Sequence, residues 1–211
     1  APTVFNQWQG HSLFYDNMLL EMGYLVVKFD HRASTAKSKK LENRVLNMMS
    51  GPVEREDIVD GINWLKSQSY VDQNRVGIWG WSGGGSFTLN MMTNTKEFKA
   101  GVSVAPVTDW HYYDTKWTEF AMKRPIDNPN GYEQTSFIKS AKNLHGSLLL
   151  VHGTYDDNVH PQNSWHFIDE LVEANIQFDM MFYPMRKHGI ADDAARVHLY
   201  NKMIKFWGEN L

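Results

Sequence analysis

Cysteine is absent from the 211 residues of this chain. No disulfide, thiolate nucleophile or cysteine-ligated zinc or iron–sulfur centre can therefore be built from it. Long apolar runs are missing as well: nothing approaches the ~18–20 consecutive apolar residues of a membrane-spanning helix. Nor does one sign of charge dominate. The 21 Lys and Arg are interspersed with 24 Asp and Glu, for a formal net charge of −3. That balance gives no electrostatic footing for nucleic acid or for an anionic membrane surface. There is no internal repeat, low-complexity tract or linker, and the length suits one α/β or β domain.

What is present points to a folded, globular chain. A hydrophobic fraction of 42% excludes disorder. Eight Trp, nine Tyr, eleven Phe and eleven Met exceed what a core of this size needs, and surplus aromatics line apolar clefts or interfaces.

The chain alternates strands with helices. Apolar runs predict strands over Tyr24–Asp30, Arg75–Gly80, Ala100–Ala105, Ser147–His152 and Ile176–Tyr183. Gly51-Pro52-Val53-Glu54 reads as a helix start, with Pro at the first helical position and a carboxylate in the first turn. Ile58, Ile62 and Leu65 follow at helical spacing. A second helix runs from the Ser82 region to about Asn94. A third opens at Pro161 and carries Trp165, Ile168 and Leu171. The last carries Val197, Tyr200, Ile204 and Trp207 on one face. Pro106 to about Asn143 is an irregular, aromatic-rich stretch. Strands separated by helices predict a mostly parallel sheet with helices on both faces and its active edge at the strand C-termini.

The sharpest motif is Gly80-Trp81-Ser82-Gly83-Gly84, a G-x-S-x-G pattern between a strand and a helix. A strand turning abruptly into a helix strains the middle residue and exposes its hydroxyl, while the helix N-terminus aims free N–H groups at developing negative charge. A glycine-rich turn is the ordinary alternative. An internal control separates the two. Gly101-Val102-Ser103-Val104-Ala105 nearly matches the pattern but lies inside a strand, so Ser103 reads as structural.

A serine nucleophile needs a base, and the base an orienting carboxylate. In chain order these fall after later strands: Asp156-Asp157-Asn158 after the fourth, and His188-Gly189 after the fifth. The residues alone do not choose between Asp156 and Asp157, and Asp-Asp-Asn before Pro161 could simply turn the chain. Metal binding by His152, Asp156 and His160 matches no recognised ligand spacing, so neither metal nor cofactor is expected.

Four segments together resemble the catalytic domain of the prolyl oligopeptidase family, in its dipeptidyl peptidase IV branch. They are Gly77-Ile78-Trp79-Gly80-Trp81-Ser82-Gly83-Gly84, Val104-Ala105-Pro106-Val107-Thr108-Asp109-Trp110, the run from His152 to His160, and His188-Gly189. The resemblance extends over essentially the whole chain. It implies an α/β-hydrolase fold and a serine peptidase acting on peptide substrates. Ser82 would be nucleophile, His188 base, and Asp156 the orienting acid, with the Gly83 N–H in the oxyanion hole. It further implies that Val107, Trp110, Tyr113, Trp117 and Val159 wall a pocket for the proline before the scissile bond. Asn158 would bond a substrate carbonyl. An acylaminoacyl peptidase, a carboxylesterase or a non-catalytic scaffold on the same fold are the other readings. The resemblance also implies an exported protein and a homodimer using the last helix, with Trp207 taking part.

Three departures from the pattern shape the expectations. Gly83 stands where the family has Tyr, and Trp117 where close relatives have Tyr. The third concerns the start: Ala1 to Trp8 resembles the end of a loop that, in relatives, follows a strand and an oxyanion-binding Tyr. The whole chain, residues 1–211, is accordingly expected to be a catalytic-domain fragment of a longer protein, lacking the domain's first strands and an upstream β-propeller. Loss of one oxyanion donor would cost on the order of 10²–10³ in rate.

Overall fold

Four short apolar runs build one parallel sheet. The computed structural model describes residues 13–34 and 38–211. Its strands are β1 (Gly77–Trp81), β2 (Ala100–Val104), β3 (Ser147–Gly153) and β4 (Asp179–Tyr183), side by side in that order. Register runs Trp81↔Val104, Val104↔Val151 and Gly153↔Tyr183, so all four C-terminal ends reach one edge.

Parallel pairing needs crossover segments, and helices supply them. The helices are α1 (Leu13–Glu21), α2 (Lys39–Glu42), α3 (Pro52–Lys66), α4 (Gly83–Asn94), α5 (Thr115–Met122), α6 (Pro129–Gln134), α7 (Gln162–Glu173) and α8 (Asp193–Asn210). α4 links β1 to β2, and α7 links β3 to β4. No helix among the described residues is long and apolar enough to cross a membrane.

The strands sort their side chains by alternation. Ala100, Val102, Val104, Leu149 and Val151 face α1 and α8, packing with Tyr15, Leu19, Leu199, Met203, Phe206 and Trp207. Leu148 and Leu150 face the other way, against Ile62 and Leu65 of α3, Leu89 and Met92 of α4, and Phe167 and Leu171 of α7. Both faces are thus covered, as a parallel sheet requires. Met92 and Thr88 of α4 pack directly onto Gly101, where a Cβ would sit 2.9 Å from the Met92 side chain.

Several expectations need correction. Tyr24–Asp30 forms no strand. Its side chains alternate as a strand's do, with Tyr24 and Val26 against the core and Leu25 and Val27 exposed. A strand also needs a ladder partner, and none of the described residues provides one. β1 begins at Gly77, not Arg75, and continues to Trp81. β2 stops at Val104, because Ala105 turns to φ 46°. β4 begins at Asp179, since Ile176 is spent closing the end of α7 through its N–H to Leu171. The stretch after Pro106 holds two short helices, α5 and α6.

Two helical faces also differ from expectation. α8 buries Ala195, Leu199, Met203, Phe206 and Trp207 while Val197 is exposed. Trp207 is therefore not an interface residue: it lies in the core, with Nε1 donating to Tyr15 Oη at 2.6 Å. On α7, Trp165 is exposed and Phe167 takes the core position. Ala1 to Trp8 lies outside the described residues.

Candidate active site

Ser82 sits where β1 becomes α4, with φ 57° and ψ −121°. A non-glycine residue held in that region stores on the order of 1–3 kcal/mol of strain. The elbow is held on both sides: Ser82 N donates to Val104 O at 2.8 Å, and Ser82 O accepts from Ser86 N at 3.0 Å to start α4. Gly80 is required, because a Cβ there would lie 2.2 Å from the Gly84 backbone. Gly85, which the motif does not single out, is needed as well; a Cβ would come 2.7 Å from Val104 O. Gly83 has open space where a side chain would be. As first residue of α4 it has no intrahelical acceptor for its N–H. Ser103 is structural: its hydroxyl is buried and donates to Gly85 O at 2.9 Å.

The two Asp residues separate cleanly. Asp157 is exposed and pairs with Lys187 at 2.6 Å. Asp156 is buried, and its Oδ2 lies 2.8 Å from His188 Nδ1. Its Oδ1 accepts the N–H groups of Asn158 at 3.0 Å and Val159 at 2.9 Å. Burial opposes ionisation of Asp156. Bonds from His152, His188 and the Asn158 N–H outweigh it and hold the carboxyl well below the usual carboxylate range. An ionised Asp156 makes His188 Nδ1 the donor, which leaves Nε2 as the basic nitrogen.

His152 was visible in the sequence, but not its role. It is fully buried, with Nε2 donating to Val159 O at 2.8 Å and lying 3.3 Å from Asp156 Oδ2. Its Nδ1 then accepts from Ser164 Oγ at 2.7 Å. Both nitrogens are engaged in bracing the Asp156 turn. The spacing from 152 to 164 carries no periodic signal, so only the packed structure reveals the brace.

The loops carrying Asp156 and His188 are zipped together. Thr154 N donates to Tyr183 O and Tyr155 N to Arg186 O, both at 3.0 Å, while Met185 N donates to Thr154 Oγ1 at 2.9 Å. Trp81 Nε1 donates to His188 O at 2.9 Å, tying the His188 loop to the residue before Ser82. The structure thus joins Asp156 to His188 by their side chains, and His188 to the elbow through Trp81. Among the described residues no hydrogen bond runs directly from Ser82 Oγ to the His188 ring.

The predicted pocket residues gather beside this site. Val107, Trp110 and Val159 are buried together with Met49, Met122 and Tyr132. Trp110 stacks on Trp117 at 5.4 Å, and Tyr113 meets Trp117 edge-on at 5.6 Å. Trp117 remains 41% exposed, so the box is open on its side. Tyr113 Oη donates to Asn158 Oδ1 at 2.9 Å. Burial, with Asp114 and Asp156 nearby, raises the Tyr113 phenol and keeps it a neutral donor. Asn158 retains an amide NH₂ able to meet a carbonyl.

Two ties went unread in the sequence. Ser86 Oγ donates to Val107 O at 2.7 Å and accepts from Val107 N at 3.0 Å, joining the elbow helix to the box. Asn163 of α7 accepts the Thr108 N–H at 2.9 Å and steadies the same loop.

Comparison with known proteins gives a consistent picture. Residues 12–211 match the family model of the prolyl oligopeptidase family. Dipeptidyl peptidase 4 of Sus scrofa is 37% identical over 211 residues, covering 98% of this chain and 27% of that protein. The crystal structure of Porphyromonas gingivalis dipeptidyl peptidase 4 superposes with a TM-score of 0.84 at 40% identity, covering 86% of this chain and 26% of that one. A solved structure from Bacteroides ovatus superposes with a TM-score of 0.93 at 35% identity, covering 100% of this chain and 30% of that one. The chain spans about a quarter of the length of the curated relatives it matches. With its sequence matched from residue 12 to the end and its sheet superposed on solved relatives, this chain has the α/β-hydrolase fold and belongs to the prolyl oligopeptidase family.

Proposed function

We propose that this chain carries the catalytic machinery of a serine peptidase that cleaves peptides after Pro, or Ala, near their N-terminus. The observation that carries the reading is Asp156. One oxygen bonds His188, and the other accepts from Asn158 and Val159 at the edge of the aromatic box. A single carboxylate thereby sets the distance between a base and a pocket suited to a compact, rigid, apolar ring.

In the reaction, Ser82 Oγ adds to the scissile carbonyl carbon as its proton passes to His188 Nε2. The oxyanion forms at the start of α4, where the Gly83 N–H has no intrahelical acceptor. The imidazolium returns the proton to the leaving amine as the C–N bond breaks, giving an acyl-enzyme. Water, deprotonated by the same nitrogen, then releases the acid and Ser82. Asp156 stays ionised throughout and stabilises the imidazolium. No metal or cofactor is required.

The reading takes the chain as the catalytic part of a longer protein, with a β-propeller and a strand beside β1 that brings a second oxyanion donor. The relatives' greater length supports this. In the full-length protein a chromogenic Xaa-Pro substrate should be hydrolysed, and Ser82→Ala should lower kcat by about 10⁴–10⁶. Equal turnover by both proteins would overturn the assignment. Preference for bulky residues or simple esters over Pro would point instead to an acylaminoacyl peptidase or carboxylesterase.

A further inference from the structure

Segment 46–51, just before α3, supplies no group to the proposed reaction, yet each residue from 47 to 51 is bonded in place. Asn47 N donates to Ala121 O at 2.8 Å, and its carbonyl accepts from Asn128 Nδ2 at 2.8 Å. Met49 lies in the cluster that contains the aromatic box. Asn47 and Ser50 take left-handed backbone angles, φ 68° and 55°. Such a path persists only where surrounding bonds over-determine it.

Two consecutive peptide units form the centre of this arrangement. In the Met49–Ser50 unit, the carbonyl accepts from Trp110 Nε1 at 3.1 Å and the N–H donates to Glu54 Oε1 at 3.0 Å. In the Ser50–Gly51 unit, the carbonyl accepts from Asn90 Nδ2 of α4 at 2.7 Å and the N–H donates to Glu54 Oε2 at 2.8 Å. Asn90 is itself held by Arg55 Nη1 at 2.8 Å. A peptide is rigid and planar. Fixing its N–H therefore fixes the direction of its carbonyl, and with it the partner on the far side. The Glu54 carboxylate, 4% exposed, stands on one side of both units. The indole wall of the box and α4, the helix that follows Ser82, stand on the other.

We propose that Glu54 is a positioning residue for substrate selection: through the Met49–Ser50 peptide it sets the Trp110 wall of the box, and through the Ser50–Gly51 peptide it fixes that wall relative to α4. The kinetic part of this proposal rests on the serine peptidase reading above. A plain helix cap would affect only the first turn of α3; the two-peptide bridge carries the effect of Glu54 to Trp110, which lies in another segment.

The test uses the full-length protein at pH 8, comparing wild type with Glu54→Gln. The amide offers one acceptor where two stood, leaving one of the two N–H groups unpaired. Hydrogen exchange, read by mass spectrometry, should rise about tenfold in peptides covering 46–51 and also in those covering 107–113. KM for an Xaa-Pro substrate should rise about tenfold with kcat within about twofold, and fluorophosphonate labelling of Ser82 should keep its rate. In a Trp110→Phe background, Glu54→Gln should have little further effect on KM. Exchange changes confined to α3 would overturn the proposal. So would an unchanged KM, parallel losses in kcat and labelling, or strict additivity with Trp110→Phe.

If Glu54→Gln does not accumulate as folded protein, Trp110→Phe alone decides. It removes the N–H that meets Met49 O, and exchange at 46–51 must rise. If wild type labels with fluorophosphonate but cleaves no Xaa-Pro substrate, the functional reading fails, and the exchange experiment still judges Glu54.

Discussion

The Trp81 indole N–H donates to the main-chain carbonyl of His188 across 2.9 Å. The residue preceding the proposed nucleophile thus anchors the residue proposed as its base. Arg196 reinforces the contact: its guanidinium lies 5.1 Å from the Trp81 ring, its Nε donates to Ile190 O at 3.1 Å, and Nη2 donates to Gly189 O. Removing the indole N–H as Trp81→Phe keeps a ring in place but leaves the His188 carbonyl without this donor. We expect kcat to fall about tenfold with KM within about twofold. Steady-state kinetics on the full-length protein check it, and an unchanged kcat would show that the anchor is dispensable.

The two neighbouring aspartates should behave very differently. Asp156→Asn exchanges an ionised acceptor for an amide and loses the tautomer that presents His188 Nε2, so kcat should drop by about 10³–10⁴. Asp157→Asn removes only an exposed pair with Lys187, and its effect should stay within about twofold. Similar losses in both variants would contradict the arrangement.

Glycines in the elbow divide by the space around them. Gly80→Ala places a methyl group 2.2 Å from the Gly84 backbone. Stability should fall by about 3 kcal/mol. Gly83→Ala meets no atom within 4 Å and should change stability little. Urea denaturation of the two variants makes the comparison.

Burial pushes the Glu54 carboxyl up to about 7, against the bonds from Gly51 and Ser50 N–H, and the charge of Asp57 adds to the rise. Because the folded value lies above the unfolded one, the native state binds more protons between roughly pH 4.5 and 7. Wild-type stability should therefore decline relative to Glu54→Gln as pH rises through that window, by up to about 3 kcal/mol, and level off above it. Urea unfolding of both proteins at pH 5 and pH 8 measures the difference. A constant gap would mean that Glu54 does not titrate there.

Much of this architecture was legible because local signals agreed with one another. The β3 run is apolar on both faces, and the Gly80–Gly84 pattern between a strand and a helix marks the elbow. The segment Tyr24–Asp30 misled because strand periodicity describes side chains, whereas a ladder needs a neighbour, which none of the described residues supplies. On α8 the buried residues are Ala195, Leu199, Met203, Phe206 and Trp207; of the expected face, Tyr200 and Ile204 pack partly buried against the same core and Val197 is exposed. Composition alone does not choose among the apolar residues of one helix. Asp156 and Asp157 could not be told apart by type or spacing; burial and the facing partner distinguish them. His152, Ser86, Asn163 and Glu54 act through contacts with distant segments, which no periodicity encodes.

The convergence of Ser82, His188 and Asp156 into one reacting unit is tested most directly by mapping where a fluorophosphonate attaches to the full-length protein. The account predicts a single adduct on the peptide containing Ser82, absent in Ser82→Ala and formed about 10³-fold or more slowly in His188→Ala. An adduct on another residue, or labelling of Ser82 at an undiminished rate without His188, would contradict it.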